Sequence, residues 1–320
     1  MFTADFEDGA WKNLQIIPYG NIEISPAASS LHYGQAIFEG IKAYKHPDGK
    51  VAIFRPQKNF ERFNISAQRM AMPAVPEAIF MQGMEKLIKL DSAWVPSGEG
   101  HSLYIRPLLF ATDPILGVHA SANYKFVILT GPAGAYYPKP LKVKIEMHYA
   151  RAIEGGVGYA KTAGNYAGSL LPTKLAQNEG YDQLIWTDAK EHAYIEESGT
   201  TNVMFVVNDT LITPSTRDTI LDGVTRHSIL DLARAWGMKV EERRVSVAEI
   251  IEAAKNGTLQ DAFGAGTAAT IAHIAEITYQ GETYTLPAPE NRVFSNKALH
   301  TLKEIRYGLS PDEFGWNRIL

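Results

Sequence analysis

Cysteine is missing altogether from the 320 residues. Its absence excludes disulfides, thiolate metal ligation and a cysteine nucleophile in one step. An excess of positive charge is missing too: 31 Lys and Arg stand against 35 Asp and Glu, a formal net charge of -4. A nucleic-acid binder needs a basic surplus that this chain does not carry. No apolar run approaches the length of a membrane span. The first residues, MFTADFEDGAWKNLQ, are acidic and contain no apolar h-region. They therefore predict no secretory signal and a cytoplasmic location. The histidines are scattered, with no HxxxH pair, so no metal site is expected. GxGxxG, P-loop, GxSxG and EF-hand patterns are all lacking, which removes the common nucleotide, esterase and calcium readings.

What is present has the balance of a globular protein, with 45% hydrophobic and 21% charged residues. The length fits about two domains of ordinary size. Residues 14–25 are predicted as two short strands around Tyr19-Gly20. Residues 41–45 and 51–55 are predicted as a hairpin across His46-Pro47-Asp48-Gly49, with glycine supplying positive φ. Apolar residues at helical spacing predict helices over 57–71 and 77–90, then strands over 102–110 and 124–130. The Gly- and Pro-rich stretch 131–140 marks a domain boundary. Beyond it, strands are predicted over 141–149, 182–187, 193–196, 202–207 and 210–213, with Asn208-Asp209 as a hairpin turn. Helices are predicted over 168–179, 223–236, 246–255 and 292–306. Helices and strands mix without strict alternation, which points to an α+β or irregular α/β fold, not a Rossmann sheet.

Three Gly-rich spots, 155–168, 221–226 and 264–268, let backbone approach a ligand. In the second, LDGVTR runs straight into a helix. The first-turn amides of Val224 and Thr225 are then donors without helical acceptors, a ready anion site. A plain loop-to-helix junction explains the same residues. The third spot is either a second anion cradle or a tightly packed strand end. Lys161 lies among small residues in GVGYAKTAGNY, and Glu197 closes a strand. Taken alone, an exposed loop lysine and an edge-strand charge account for both.

At these residues the chain resembles the branched-chain amino acid aminotransferases, members of the fold type IV pyridoxal-phosphate (PLP) enzymes, which are D-amino acid aminotransferase-like. The likeness runs through SLHYGQAIFEG (30–40), FRPQKNFERF (54–63), SLYIRP (102–107), DPILGV (113–118), GAYY (134–137), AKTAGNY (160–166), YIEESGTTN (194–202), LDGVTR (221–226) and FGAGTAA (263–269). The order of so many segments makes the likeness specific. The resemblance implies a two-domain fold: a smaller N-terminal α/β domain over 1–137, a connection over 138–148, and a larger C-terminal domain over 149–320 carrying the PLP lysine, with the cofactor at their interface.

The resemblance also implies roles. Lys161 would link to PLP and move the substrate proton. Glu197 would accept from the ring nitrogen, and Tyr166 would hold the ring hydroxyl. Arg62, the amides of Val224 and Thr225, and Thr267 would hold the phosphate. Thr267 and Ala268 would receive the substrate carboxylate. Phe38, Tyr104, Tyr136 and Thr200 would form the side-chain pocket, with Tyr33, Leu116 and Val118 lent by a second subunit of a homodimer. Arg106 would meet the γ-carboxylate of glutamate by a charge-assisted hydrogen bond. The reaction implied is ping-pong transfer of the amino group of leucine, isoleucine or valine to 2-oxoglutarate. Within the same fold, a D-amino acid aminotransferase or an aminodeoxychorismate lyase is the rival. Two departures stand out. Animal members carry a CxxC pair where this chain has Ala269, Thr270, Ile271 and Ala272, so no thiol switch is possible. Enterobacterial members carry Trp where this chain has Ala133.

Overall fold

A computed structural model describes residues 1–134 and 139–320. The chain forms two compact units. The first takes Met1–Gly134, Ala160–Gly164 and Glu304–Leu320; the second takes 139–159 and Asn165–Lys303. Beside the expected domains over 1–137 and 149–320, the Lys161 segment and the C-terminal tail count with the first unit. Backbone pairing explains it: Thr162 bridges to Ile37, and Asn317–Ile319 pairs with Val51–Phe54.

In the first unit, β1 (Phe2–Glu7) and β2 (Ala10–Ile16) form a hairpin around Asp8 and Gly9, at φ 50° and 75°. That is the positive-φ pair a tight hairpin turn requires. It corrects the strands expected over 14–25: Asp8-Gly9 is the stronger turn signal, and 17–25 carries no strand. After α1 (Ser29–His32) come β3 (Ala36–Phe38), β4 (Ile41–Lys45) and β5 (Val51–Phe54). The expected turn at 46–49 joins β4 to β5, with Gly49 at φ 85°. Helix α2 (Pro56–Arg69) starts on a proline, whose missing N–H costs nothing in the first turn. Then follow α3 (Glu77–Leu90), β6 (Ser102–Ala111) and β7 (Tyr124–Ala133). The antiparallel sheet runs in the order Asn317–Ile319, β5, β4, β6, β7, β1, β2, with β3 also paired to β6. Its core is aromatic: Phe63 of α2 and Phe80 of α3 meet Phe126 of β7 at 5.6 and 5.9 Å between ring centroids.

The second unit holds β8 (Leu141–Ile145), α4 (Ala163–Asn178), whose first two residues count with the first unit, β9 (Gln183–Thr187), β10 (Tyr194–Ser198), β11 (Thr201–Val207) and β12 (Thr210–Pro214). It continues through α5 (Val224–Ala235), β13 (Lys239–Arg243), β14 (Val245–Ser246), α6 (Val247–Lys255), β15 (Leu259–Gly266), β16 (Thr270–Tyr279), β17 (Glu282–Thr285) and α7 (Val293–Tyr307), whose last turn counts with the first unit. A side-chain N-cap starts α6, where Ser246 Oγ accepts the Glu249 N–H at 3.1 Å. Strands β11, β15, β16, β8, β9 and β10 pair in succession, and the β10–β11 pairing closes them into a ring. Closure leaves none of these six with both edges unpaired. Apolar side chains from this ring and from α6, among them Ile185, Val203, Phe205, Ile250 and Ile274, form a second core. No helix among the described residues is long and apolar enough to cross a membrane.

Candidate active site

Lys161 is fixed by its backbone. Its N–H donates to Ser66 Oγ at 2.8 Å, and its carbonyl accepts the Phe38 N–H at 3.1 Å. Next to it, Thr162 Oγ1 donates to the Ala36 carbonyl. The lysine thus lies along β3, whose other edge pairs with β6. Its Nζ stands 4.8 Å from the Phe38 ring, and the Arg106 guanidinium stands 4.6 Å from the same ring. Arg106 Nη2 donates to Tyr104 Oη at 2.8 Å, while its Nε is buried without a hydrogen-bond partner. Gly40 keeps this wall open, since a Cβ there would meet Tyr104 Oη at 2.4 Å. Four expected site residues, Phe38, Tyr104, Arg106 and Lys161, therefore converge in the first unit.

Beneath them lies a carboxylate that sequence reading did not single out. Glu39 is fully buried and accepts from Arg62 Nε at 2.7 Å, Arg62 Nη2 at 2.8 Å and Asn59 Nδ2 at 2.7 Å. Burial alone would raise its pKa. The Arg62 guanidinium, helped by the Lys161 charge and Asn59, outweighs burial and holds Glu39 below the ordinary carboxylate value. The structure thus shows Arg62 as half of a buried bidentate ion pair, beside whatever contact it makes to a ligand. The signal in the sequence was a lone acid inside an apolar run, AIFEGI.

The second unit gathers another group. Glu197 Oε1 accepts the Leu221 N–H at 2.7 Å, and Oε2 lies 3.4 Å from Arg151 Nε. Arg151 also donates to the carbonyls of Gly158, at 3.3 Å, and Thr219. Sequence reading passed over Arg151; nothing in YARAIE distinguishes it from a surface arginine. Asn202 Nδ2 donates to the Leu221 carbonyl at 2.8 Å. Glu197 and Asn202 are cross-strand neighbours, so together they pin the 221–223 loop that feeds α5. The α5 N-cap is Gly223, with no side-chain cap. The amides of Val224 and Thr225 find no acceptor among the described residues, although both residues are buried. Buried donors of this kind suit an anion.

Tyr166 is in the first turn of α4 and half-buried. Thr200 is exposed in the β10–β11 turn. Thr267 and Ala268 form the β15–β16 turn. The glycines before that turn fit a packed strand end: a Cβ on Gly264 would meet Thr201 Oγ1 at 2.4 Å. Tyr33, Leu116 and Val118 are exposed in the first unit. Tyr136 lies outside the described residues.

The family model for amino-transferase class IV matches residues 36–277, most of the chain. The chain belongs to the class IV aminotransferases. It is 46% identical, over its whole length and 90% of the relative, to a Staphylococcus aureus (strain N315) protein named "Probable branched-chain-amino-acid aminotransferase". It is 43% identical, over 99% of its length and 88% of the relative, to "Branched-chain-amino-acid aminotransferase 2" of Bacillus subtilis (strain 168). The fold of this aminotransferase is that of the branched-chain amino acid aminotransferase from Thermobaculum terrenum in its PLP form. The TM-score is 0.78 at 24% identity, covering 99% of this chain and 97% of the other. Fold type IV is therefore the architecture of the molecule.

Proposed function

We propose that this aminotransferase moves the amino group of leucine, isoleucine or valine to 2-oxoglutarate, with PLP as cofactor. The observation that carries the substrate reading is the wall around Lys161: two aromatic rings, Phe38 and Tyr104, with one guanidinium, Arg106, held across them. Aromatic surface takes a branched aliphatic side chain favourably, at about 25 cal/mol per Å² buried. The guanidinium gives a γ-carboxylate the partner without which its burial is costly. Names of relatives at 43% and 46% identity agree with this substrate class.

The residues present fit the cofactor. The acceptorless amides of Val224 and Thr225 suit its phosphate, together with Arg62 and Thr267. Glu197 is a buried carboxylate beside Arg151 and is assigned to accept from a protonated ring nitrogen. Tyr166 is assigned to the ring hydroxyl. When bound, PLP supplies the electron sink that makes the substrate Cα–H acidic. Lys161 then carries the proton away from Cα and returns it, as base and acid in turn. Thr267 and Ala268 hold the substrate carboxylate, and Thr200 and Tyr136 complete the pocket. A second copy of the chain lends Tyr33, Leu116 and Val118, which makes the working unit a homodimer in the cytoplasm.

The test is the visible spectrum of the purified protein, before and after L-leucine and then 2-oxoglutarate. A yellow band that bleaches with leucine and returns with 2-oxoglutarate is expected. A yellow protein indifferent to leucine overturns the substrate assignment and leaves the family in place. Lys161→Ala is expected to lose turnover by at least about a thousandfold, as loss of a combined anchor and proton carrier should, with unchanged circular dichroism. Turnover near wild type in that variant removes the role given to Lys161.

A further inference from the structure

A cavity of about 570 Å³ lies wholly within the second unit, apart from Glu197, Leu221 and α5. Three cations line it, Lys190, Arg217 and Arg244, against the carboxyls of Glu154, Asp188, Glu191 and Glu196. These charges are not equally available. The Asp188 carboxylate is consumed by its own turn, accepting the N–H groups of Glu191, Ala193 and Tyr194 at 2.8–2.9 Å. Lys190 stands 4.0 Å from Glu191. Elsewhere in this unit arginines meet glutamates: Arg226 and Arg234 share Glu242, and Arg243 reaches Glu241 and Glu249. Arg217 and Arg244 differ. Arg217 Nε donates to Ser215 Oγ at 3.2 Å, and the Arg244 guanidinium lies 3.5 Å over the Tyr194 ring. Among the described residues neither has a carboxylate partner. Each is held by a neutral neighbour, and each lines the same cavity.

Glu196 lines it too. Only 6% of the residue is exposed, and its Oε2 is buried without a hydrogen-bond partner. A buried carboxyl oxygen left so is costly and calls for a donor. Burial pushes the Glu196 pKa up to about 7, against the pull of Thr219 and Arg151, so the group gains by meeting a cation. Two guanidiniums call for an anion; an unsatisfied carboxyl calls for an N–H. Because the lining charges nearly balance, a polyanion is poorly matched, whereas a molecule carrying one charge of each sign fits.

We propose that this cavity is a second ligand site for a free α-amino acid, with its carboxylate on Arg217 and Arg244 and its ammonium on Glu196. The volume is within the range of small-molecule sites. The assignment is independent of the chemistry at Lys161.

The probe is 1-aminocyclopentane-1-carboxylate, which has both charges and no Cα hydrogen, so transamination cannot consume it. It is titrated calorimetrically into the PLP-loaded protein, with leucine turnover assayed in parallel. Saturable binding is expected in the wild type. The probe can also bind at Lys161, so of two binding components one should vanish in the double variant Arg217→Ala/Arg244→Ala, while the other component and leucine turnover persist. Glu196→Gln, which keeps shape and removes charge, should weaken binding about tenfold, the value of one charge-assisted hydrogen bond. Acetate and methylammonium, each with half the charges, should bind far more weakly. An isotherm unchanged in the double variant overturns the proposal, since the probe then sits elsewhere. So does an absence of binding to wild-type protein. Acetate binding as tightly as the probe overturns the role of Glu196. A failure of the aminotransferase reading shows separately, as absent leucine turnover with the isotherm intact.

Discussion

In the proposed reaction leucine and glutamate use one side-chain wall, although one side chain is apolar and the other ends in a carboxylate. In the proposed function Phe38 and Tyr104 would serve the first, and Arg106, lying across both rings, would serve the second. Arg106→Ala is predicted to lower kcat/KM for 2-oxoglutarate by about ten- to a hundredfold, the worth of a charged hydrogen bond. The leucine half-reaction should change much less. Measuring the two half-reactions separately checks this, and equal losses in both would show that Arg106 only supports the wall. Glu39 acts one layer deeper. Glu39→Gln leaves Arg62 buried without its counter-charge and is predicted to destabilise the fold by about 3 kcal/mol in urea denaturation. The sign of the pH effect follows from its lowered pKa. Glu39 contributes stability above the unfolded carboxylate value of 4.5, and that contribution is lost as pH falls through the folded value. The wild type should therefore lose stability more steeply than the variant as pH falls below 4.5. Parallel stability curves in acid would remove Glu39 from this account.

The loop before α5 shows how a small residue secures a site through its neighbours. A Cβ on Gly223 would lie 1.9 Å from Asn202 Oδ1, and Asn202 is held in turn by the Leu221 carbonyl. Its φ of -75° is open to any residue, so the need for glycine is one of space, not conformation. Gly223→Ala should displace Asn202 and the start of α5, costing about 1–3 kcal/mol, as overpacking does. It should also weaken PLP binding, read by equilibrium dialysis; unaltered affinity would detach this loop from the phosphate. LDGVTR was legible beforehand because a Gly followed by an amphipathic run marks a helix start, and α5 begins where periodicity placed it. Helix α3 and the 46–49 and 208–209 turns were legible for the same reason, as strong local signals. Helix α4 was legible over 168–178, but its first turn was not: Gly164 and Gly168 read as breakers, yet the helix starts at Ala163. The short strands β3, β14 and β17 were illegible because pairing partners define them, and partners are far away in sequence. Arg151 was missed likewise: its tie to Glu197, 46 positions on, exists only once the ring of strands has closed.

The proposed homodimer would cover apolar side chains that stand exposed on this chain. Leu116 and Val118 are 70% and 85% exposed, in a loop whose Gly117 is at φ 131°. Asp113 anchors that loop by accepting the N–H groups of Ala122 and Asn123 at 2.6 and 2.8 Å. A loop fixed at its base and apolar at its tip is built to be covered, because covering each such side chain is worth about 1.5–3 kcal/mol. On the second unit, Leu170, Leu171 and Leu175 expose a further apolar strip along α4. In a two-fold homodimer each such surface would be buried on both subunits at once. Val118→Asp places a charge where the loop tip should be buried. It is predicted to shift sedimentation toward monomer at low protein concentration and to lower kcat/KM for leucine with it. If instead the variant sediments as a monomer and turns over leucine like the wild type, the loop contributes nothing to a neighbour's pocket, and each subunit must complete its own.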